Sequence, residues 1–259
     1  MPADKISVVI ICKNAVSTIQ KAIDTSLLVS DDVVIVDSGS TDGTIEKVKA
    51  TRAVLKQIQW TGYGNAKNLG NDSAVHDWIL SLDADEFIDY KLVDSLKGAS
   101  LSHETTVYSF RRLNYLGSKP VKYGEWGNDI VVRLFNRHHA RWDVSALHEK
   151  LVRKGEGENL RLPGVLHHFT SPDIETYKLK LARYALLSSE KHFNNGKKVS
   201  WLKMFLSPLS NFVVNYILKG GFLSGESGLQ ISLAHFHYSF EKYRLLRERW
   251  GGKHVQKAL

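Results

Sequence analysis

A single cysteine, Cys12, among 259 residues excludes an intramolecular disulfide, so nothing in the chain calls for an oxidising compartment. A reducing cytoplasm is the expected setting. Only five prolines are present and low-complexity tracts and internal repeats are missing, which leaves little room for long disordered linkers or a repeat architecture. No apolar run reaches the length a membrane-spanning helix needs. At the start, Asp4 and Lys5 precede a short apolar stretch ending near Cys12, without the long apolar region and small-residue cleavage site of a signal peptide. Acidic residues are missing altogether from 191–225, a stretch that nonetheless carries five lysines.

What is present is an ordinary globular composition, 43% hydrophobic and 24% charged. The net charge of +8 asks for a negatively charged partner: nucleic acid, anionic lipid or a phosphorylated substrate. Residues 6–11, β-branched apart from Ser7, read as a strand buried on both faces of a parallel sheet. Ile19, Ile23 and Leu27 then recur at helical spacing, and a second β-branched strand covers 33–36 after Ser30-Asp31-Asp32. This is a βαβ unit. Its second strand opens into the polar loop Asp37-Ser38-Gly39-Ser40-Thr41-Asp42-Gly43-Thr44, placed to cap a helix through Ile45 and Val48. A short strand over 54–58, a helix over 66–75 and a strand over 78–82 follow. That last strand runs straight into Asp83-Ala84-Asp85-Glu86.

Strands over 106–112 and 130–135 extend the sheet. The character changes after Pro163. Ile174, Tyr177, Leu181, Tyr184 and Leu187 mark one face of a helix, and helical stretches over 201–218 and 228–249 follow. The expected fold class is α/β: a Rossmann-like domain with a mixed, mainly parallel sheet over 1–170, then a C-terminal helical region over 171–259.

Ligands of open α/β sheets bind beyond the carboxyl ends of the strands, where both acidic loops must lie. Asp83 and Asp85 emerge together from a strand end and can face one ligand, and hard carboxylate oxygens suit Mg²⁺ or Mn²⁺ shared with substrate phosphates. Taken alone, Asp-Ala-Asp reads more simply as a turn or helix cap. It does not stand alone. Ser7-Val8-Val9-Ile10-Ile11, the segment from Val34-Ile35-Val36-Asp37 through Thr44, and Trp78-Ile79-Leu80-Ser81-Leu82-Asp83-Ala84-Asp85-Glu86 resemble, in order and spacing, the inverting glycosyltransferases of family 2. Those enzymes have the GT-A fold. Lys67-Asn68, Arg133-Leu134-Phe135, Leu147-His148-Glu149-Lys150-Leu151, Leu166-His167-His168 and Gly220-Gly221-Phe222-Leu223 are further similar to lipopolysaccharide core glucosyltransferases of the WaaE/KdtX type.

The resemblance implies a UDP-sugar donor, with Asp37 and Gly39 at its uracil or ribose side, Asp83 and Ala84 near the ribose and metal, and Asp85 on the metal itself. Lys13 and Lys67 would balance the donor's phosphates, and His168 would be a further metal or phosphate ligand. The metal would be Mn²⁺ or Mg²⁺. Inverting transfer also needs a base to take the proton of the attacking acceptor hydroxyl. By likeness of position that base is Glu149, with Asp129 in reserve and His148 orienting whichever carboxylate acts. The family's common Glu-Asp form of this motif is not present here. The implied reaction moves a hexose, by likeness glucose, to a lipid-linked saccharide acceptor in the heptose region of the lipopolysaccharide inner core.

Lys191, Lys197, Lys198, Lys203 and Lys219 alternate with Trp201, Phe205, Phe212, Tyr216 and Phe222 in the acid-free stretch. Such a segment suits an anionic membrane surface, and peripheral attachment to the inner membrane is expected; the plainer reading is a helical hairpin packed on the rest of the chain. Two other functions stay open at this level. A nucleotidyltransferase would show a Gly-rich loop after the first strand, where Cys12-Lys13-Asn14-Ala15 has no glycine. A nucleic-acid-binding protein would show a reader motif; none is recognisable, so no nucleic-acid partner is expected.

Overall fold

A mainly β-branched run demands cover on both faces, and β1 (Ile6–Cys12) has it: every residue, Ser7 included, is buried. The computed structural model describes residues 6–144 and 150–252. The chain divides into one unit of Met1–Arg112 and Asp129–His168 and another of Leu113–Asn128 and Phe169–Leu259. The division thus differs from a single cut at 170/171, because 113–128 goes with the second unit.

The first unit starts with β1, α1 (Ile19–Ser26), β2 (Val33–Asp37), α2 (Thr44–Lys49), β3 (Val54–Gln57), α3 (Tyr63–Ser73) and β4 (Trp78–Asp83). It continues through β5 (Glu86–Ile88), α4 (Tyr90–Lys97) and β6 (Val107–Leu116). β7 (Lys119–Val121) belongs to the second unit, and the first resumes with β8 (Asp129–Asn136), β9 (Ala140–Trp142), β10 (Leu151–Arg153) and β11 (Asn159–Ser171), whose last three residues fall in the second unit. The sheet order is β3-β2-β1-β4-β8-β6-β11-β5. The first four strands are parallel, and β8 joins β4 antiparallel, so the sheet is mixed as expected.

Strand alternation sorts the apolar residues to the two faces. Val8, Ile10, Val33, Ile35, Leu80 and Leu82 form one core with residues of α1, α2 and α4. Val9, Ile11, Val34, Val36 and Ile79 form the other with Ala66 of α3 and Trp142 of β9. Each fully buried Val or Ile contributes roughly 1.5–3 kcal/mol, so the parallel half is the rigid platform beneath the acidic loops.

Register then sets the site. Cys12 pairs with Asp37 on one side of β1, and Ile11 pairs with Asp83 on the other. Both aspartates therefore end strands that flank the end of β1, about 10 Å apart at two interstrand spacings. This is the point where strand order reverses, the usual ligand crevice of an open α/β sheet.

In the second unit, α5 (Ile174–Asn194) and α7 (Gly225–Trp250) share a core of Leu116, Val121, Trp126, Tyr177, Leu181, Ile231 and Ala234. Asp173 caps α5 by accepting from Thr176 N–H at 2.7 Å. The buried face of α5 is Tyr177, Leu181, Ala185 and Ser189, whereas Tyr184 and Leu187, expected on it, are exposed. Four-residue steps ending in small side chains let a long helix lie close, and the larger residues turn outward. Residues 159–171 form one long strand through Pro163, an element not assigned from the sequence, and the helical region follows from α5 onward. The Pro163-Gly164 pair hid the strand. Among the described residues, no helix is long and apolar enough to cross a membrane.

Candidate active site

The loop after β2 is organised around a buried carboxylate. Asp37 Oδ1 accepts the N–H groups of Gly39 and Ser40, each at 2.9 Å, and Oδ2 accepts from Ser40 Oγ and from Cys12 Sγ at 3.3 Å. Burial works to raise the Asp37 carboxyl, yet these donors outweigh it and hold it below the usual range. Asp37 is completely buried, so it shapes the loop rather than presenting an open face. Gly39 and Gly43 supply the left-handed turns at φ 92° and 93°. Asn14 donates its N–H to Ser40 Oγ at 2.8 Å and accepts from Thr41 N–H at 2.9 Å, lacing this loop to the one after β1. Lys13 stands exposed beside Asn14.

A chain of charges lies at the end of β4. Lys67 on α3 is 1% exposed; its Nζ is 3.1 Å from Asp83 Oδ1 and 4.4 Å from the centre of the Trp142 ring. The expectation of a phosphate-balancing lysine thus meets one that is buried and already paired with an aspartate. Arg133 on β8 places Nη2 2.7 Å from Asp83 Oδ2 and 2.6 Å from Glu86 Oε1. Glu86, 0% exposed, also accepts from Arg112 Nη1 at 3.0 Å and, through Oε2, from Asp83 N–H at 3.1 Å. Arg112 Nε closes the chain on Asp129 Oδ2 at 2.8 Å.

Burial works to raise the Asp83 carboxyl, but the charges of Lys67 and Arg133 override it and hold it far below the usual carboxylate range. Burial likewise works to lower the Arg133 guanidinium, and Glu86 and Asp83 push it well above its ordinary value. Asp83 is thereby ionised and fixed. Ala84, which follows it, is buried.

Asp85 is free of that clamp, its side chain 39% exposed. The antiparallel ladder explains its neighbour: His168 on β11 pairs with Glu86 on β5, which brings His168 Nε2 to 3.4 Å from Asp85 Oδ2. The two expected metal ligands are therefore together. Among the described residues no group of three or more His, Cys, Asp or Glu side chains is arranged to hold a metal. Two protein donors still fit a hydrated Mg²⁺ or Mn²⁺, which keeps several waters and shares substrate phosphates.

Of the expected catalytic residues, His148 and Glu149 lie outside the described residues, and Asp129 is tied to Arg112. Asn68 anchors the preceding strand: its Nδ2 donates to Trp142 O at 2.9 Å and its Oδ1 accepts from Trp142 N–H at 3.1 Å. Gly64 is needed for the same approach, since a Cβ there would lie 2.0 Å from Asp143 O. No role had been assigned from the sequence to Arg112, Arg133, Glu86 or Trp142. A buried arginine in an otherwise apolar strand was the available signal, because such a charge requires a buried carboxylate.

The family model described as glycosyl transferase family 2 matches residues 7–150, which span both acidic loops and the segment bearing Glu149. The lipopolysaccharide core biosynthesis glycosyltransferase LpsC of Rhizobium meliloti (strain 1021) is 30% identical over 250 residues, covering 93% of this chain and 91% of that one. An uncharacterized glycosyltransferase of Rickettsia prowazekii (strain Madrid E) is 26% identical over 94% of this chain and 87% of its own. Among solved structures, glucosyl-3-phosphoglycerate synthase from Mycobacterium tuberculosis, in complex with Mn²⁺ and UDP-glucose, is 26% identical with a TM-score of 0.36. That likeness covers 43% of this chain and 44% of the synthase. The nucleotidyltransferase and non-catalytic readings therefore fall away: the chain belongs to glycosyl transferase family 2 and is a glycosyltransferase.

Proposed function

We propose that the protein transfers a hexose, with inversion, from a UDP-sugar to a lipid-linked saccharide of the lipopolysaccharide core. The observation that carries the donor half is the division of labour at the end of β4: Asp83 is clamped by Lys67 and Arg133, while Asp85 stays exposed beside His168. The acceptor half rests on the similarity to LpsC, named for lipopolysaccharide core biosynthesis. A saccharide attached to lipid places the reaction at a membrane surface, and the inner membrane's cytoplasmic face is the proposed location. The donor hexose is proposed to be glucose and the acceptor a heptose.

In this reading Asp85 and His168 hold a divalent cation, Mn²⁺ or Mg²⁺. When bound, the cation offsets the charge that develops on the departing diphosphate. Asp83 orients the ribose side of the donor, and its fixed position follows from its ion pairs with Lys67 and Arg133 rather than from the ligand. The loop that Asp37 and Gly39 shape receives the uracil end, with Lys13 exposed to meet phosphate. Lys67 acts by holding Asp83.

Transfer with inversion requires the acceptor oxygen to attack the anomeric carbon on the face opposite the diphosphate while a base takes the hydroxyl proton. Glu149 is the proposed base, with His148 positioning it. The ion pair of Asp129 with Arg112 supports this preference, because a carboxylate oxygen already accepting from a guanidinium is poorly placed to accept the substrate proton.

The test is transfer from UDP-glucose, UDP-galactose and UDP-N-acetylglucosamine to lipopolysaccharides truncated at successive core residues. Glu149→Gln should lower kcat by ~100–10,000-fold, the range for removing a general base, while Asp129→Asn should cost far less. Full activity of Glu149→Gln would remove Glu149 from the mechanism, and transfer from none of these donors to any core acceptor would refute the substrate assignment.

A further inference from the structure

Among the described residues, the second unit carries a helix whose outer side leaves large apolar side chains exposed. Helix α6 (Trp201–Phe212) continues into a π-helical turn, Val213–Leu218, and then a 3₁₀ turn, Gly221–Ser224. Met204 and Pro208 face inward and are buried. The opposite side exposes Leu202 (68%), Leu206 and Leu209, Phe205 on the flank is half-exposed beside the Phe240 ring of α7, and the following turns expose Ile217 and Leu218 (74%). Large apolar side chains clustered at this exposure mark an interaction surface, since scattered ones are ordinary but contiguous ones are not.

Charge decides the occupant. Residues 191–225 contain five lysines and no acid, and Lys197, Lys198, Lys203 and Lys219 are exposed. Two of them rest over the rings of α7, with Lys198 Nζ 5.0 Å from the Trp250 centroid and Lys203 Nζ 6.0 Å from that of Tyr243. These ammonium groups stand over aromatic faces on exposed side chains, while Lys197 and Lys219 are exposed as well, so the segment presents positive charge to anions. A second copy of this chain would bring lysines against lysines across the contact, with no carboxylate in the segment to answer them.

We propose that α6 and the two turns after it form a monotopic docking surface for an anionic lipid bilayer. The 12-residue α6 is about 18 Å long, and no described helix can span a bilayer, so this one lies in the plane of the interface. Its apolar face enters the boundary between headgroups and acyl chains, and the lysines meet lipid phosphates. The proposal gives the lipid-linked acceptor reading a physical surface on which to act. It rests on no residue of the donor site, so either reading can fail while the other stands.

The experiment is co-sedimentation of the whole chain, without nucleotide, with phosphatidylcholine vesicles containing or lacking phosphatidylglycerol, across a salt titration. Binding should need phosphatidylglycerol and weaken steeply with salt. Lys197→Gln, Lys198→Gln, Lys203→Gln and Lys219→Gln should each lower the partition coefficient at low salt by up to about five-fold. Leu206→Glu with Leu209→Glu should lower it by at least about ten-fold each. The lysine variants change only exposed side chains, so they test the proposal even if the leucine pair impairs folding. Equal binding to neutral vesicles, binding insensitive to all these changes, or no binding at any salt would overturn it. So would a dimer in light scattering that the leucine substitutions dissociate.

Discussion

Replacing Arg133 with methionine should destabilise the first unit by about 3 kcal/mol. The figure comes from what is left behind. Glu86 is fully buried and receives Arg133 Nη2 at 2.6 Å, while the same nitrogen reaches Asp83 at 2.7 Å. Breaking a buried ion pair by removing one partner costs ~3–5 kcal/mol, mostly through the uncompensated charge. Arg112 remains 3.0 Å from Glu86 and puts the expected cost at the lower end. At about 2–4 °C per kcal/mol for a domain of this size, the melting temperature should fall by ~6–12 °C. Circular dichroism melts would measure it. The accompanying control is the double change Arg133→Met with Glu86→Leu, which removes the stranded carboxylate and should recover at least ~1 kcal/mol of the loss. An Arg133→Met melt within about 2 °C of wild type, or a double variant less stable than strict additivity, would refute the assignment of this pair as a buried, mutually dependent unit.

Asp37→Asn should change the acid limb of stability. The Asp37 carboxyl lies below its usual range when folded, so its contribution is complete above the unfolded value near ~4 and is lost as pH falls through the lower folded value. Urea midpoints followed below pH ~4 should therefore fall less in the variant, which should also be less stable than wild type at neutral pH. Gly64→Ala forces a Cβ to within 2.0 Å of Asp143 O, a backbone atom, and should cost ~1–3 kcal/mol in chemical denaturation despite alanine's better helix propensity. His168→Asn should weaken Mn²⁺-supported UDP binding while leaving the melting temperature nearly unchanged, read by calorimetry and by a thermal melt in parallel.

Legibility followed the kind of interaction involved. The strands β1, β2 and β4 were readable because a strand covered on both faces reads as a near-continuous apolar run, and their ends placed Asp37, Asp83 and Asp85 in one crevice. Asp85 and His168 were nominated from sequence likeness, and the ladder between β5 and β11 brings them to 3.4 Å, a proximity that needs a strand pairing of high sequence separation. Lys67 was nominated as a phosphate ligand, but its burial against Asp83 depends on how α3 sits over β1 and β2, which no local pattern encodes. The clamp through Glu86, Arg112 and Arg133 was hidden for the same reason: its partners come from β5, β6 and β8. The outward turn of Tyr184 and Leu187 was likewise invisible, since helical periodicity alone does not reveal which neighbour a helix meets.

The most direct measurement is calorimetric titration of UDP into the purified protein with and without Mn²⁺, repeated with Asp85→Ala. UDP should bind only with the metal, and the substitution should cost at least the ~10–100-fold in affinity that changes even to outer-shell partners of a metal cause. Metal-independent UDP binding of equal strength in both proteins would contradict the assignment of Asp85 as the residue that joins cation and donor.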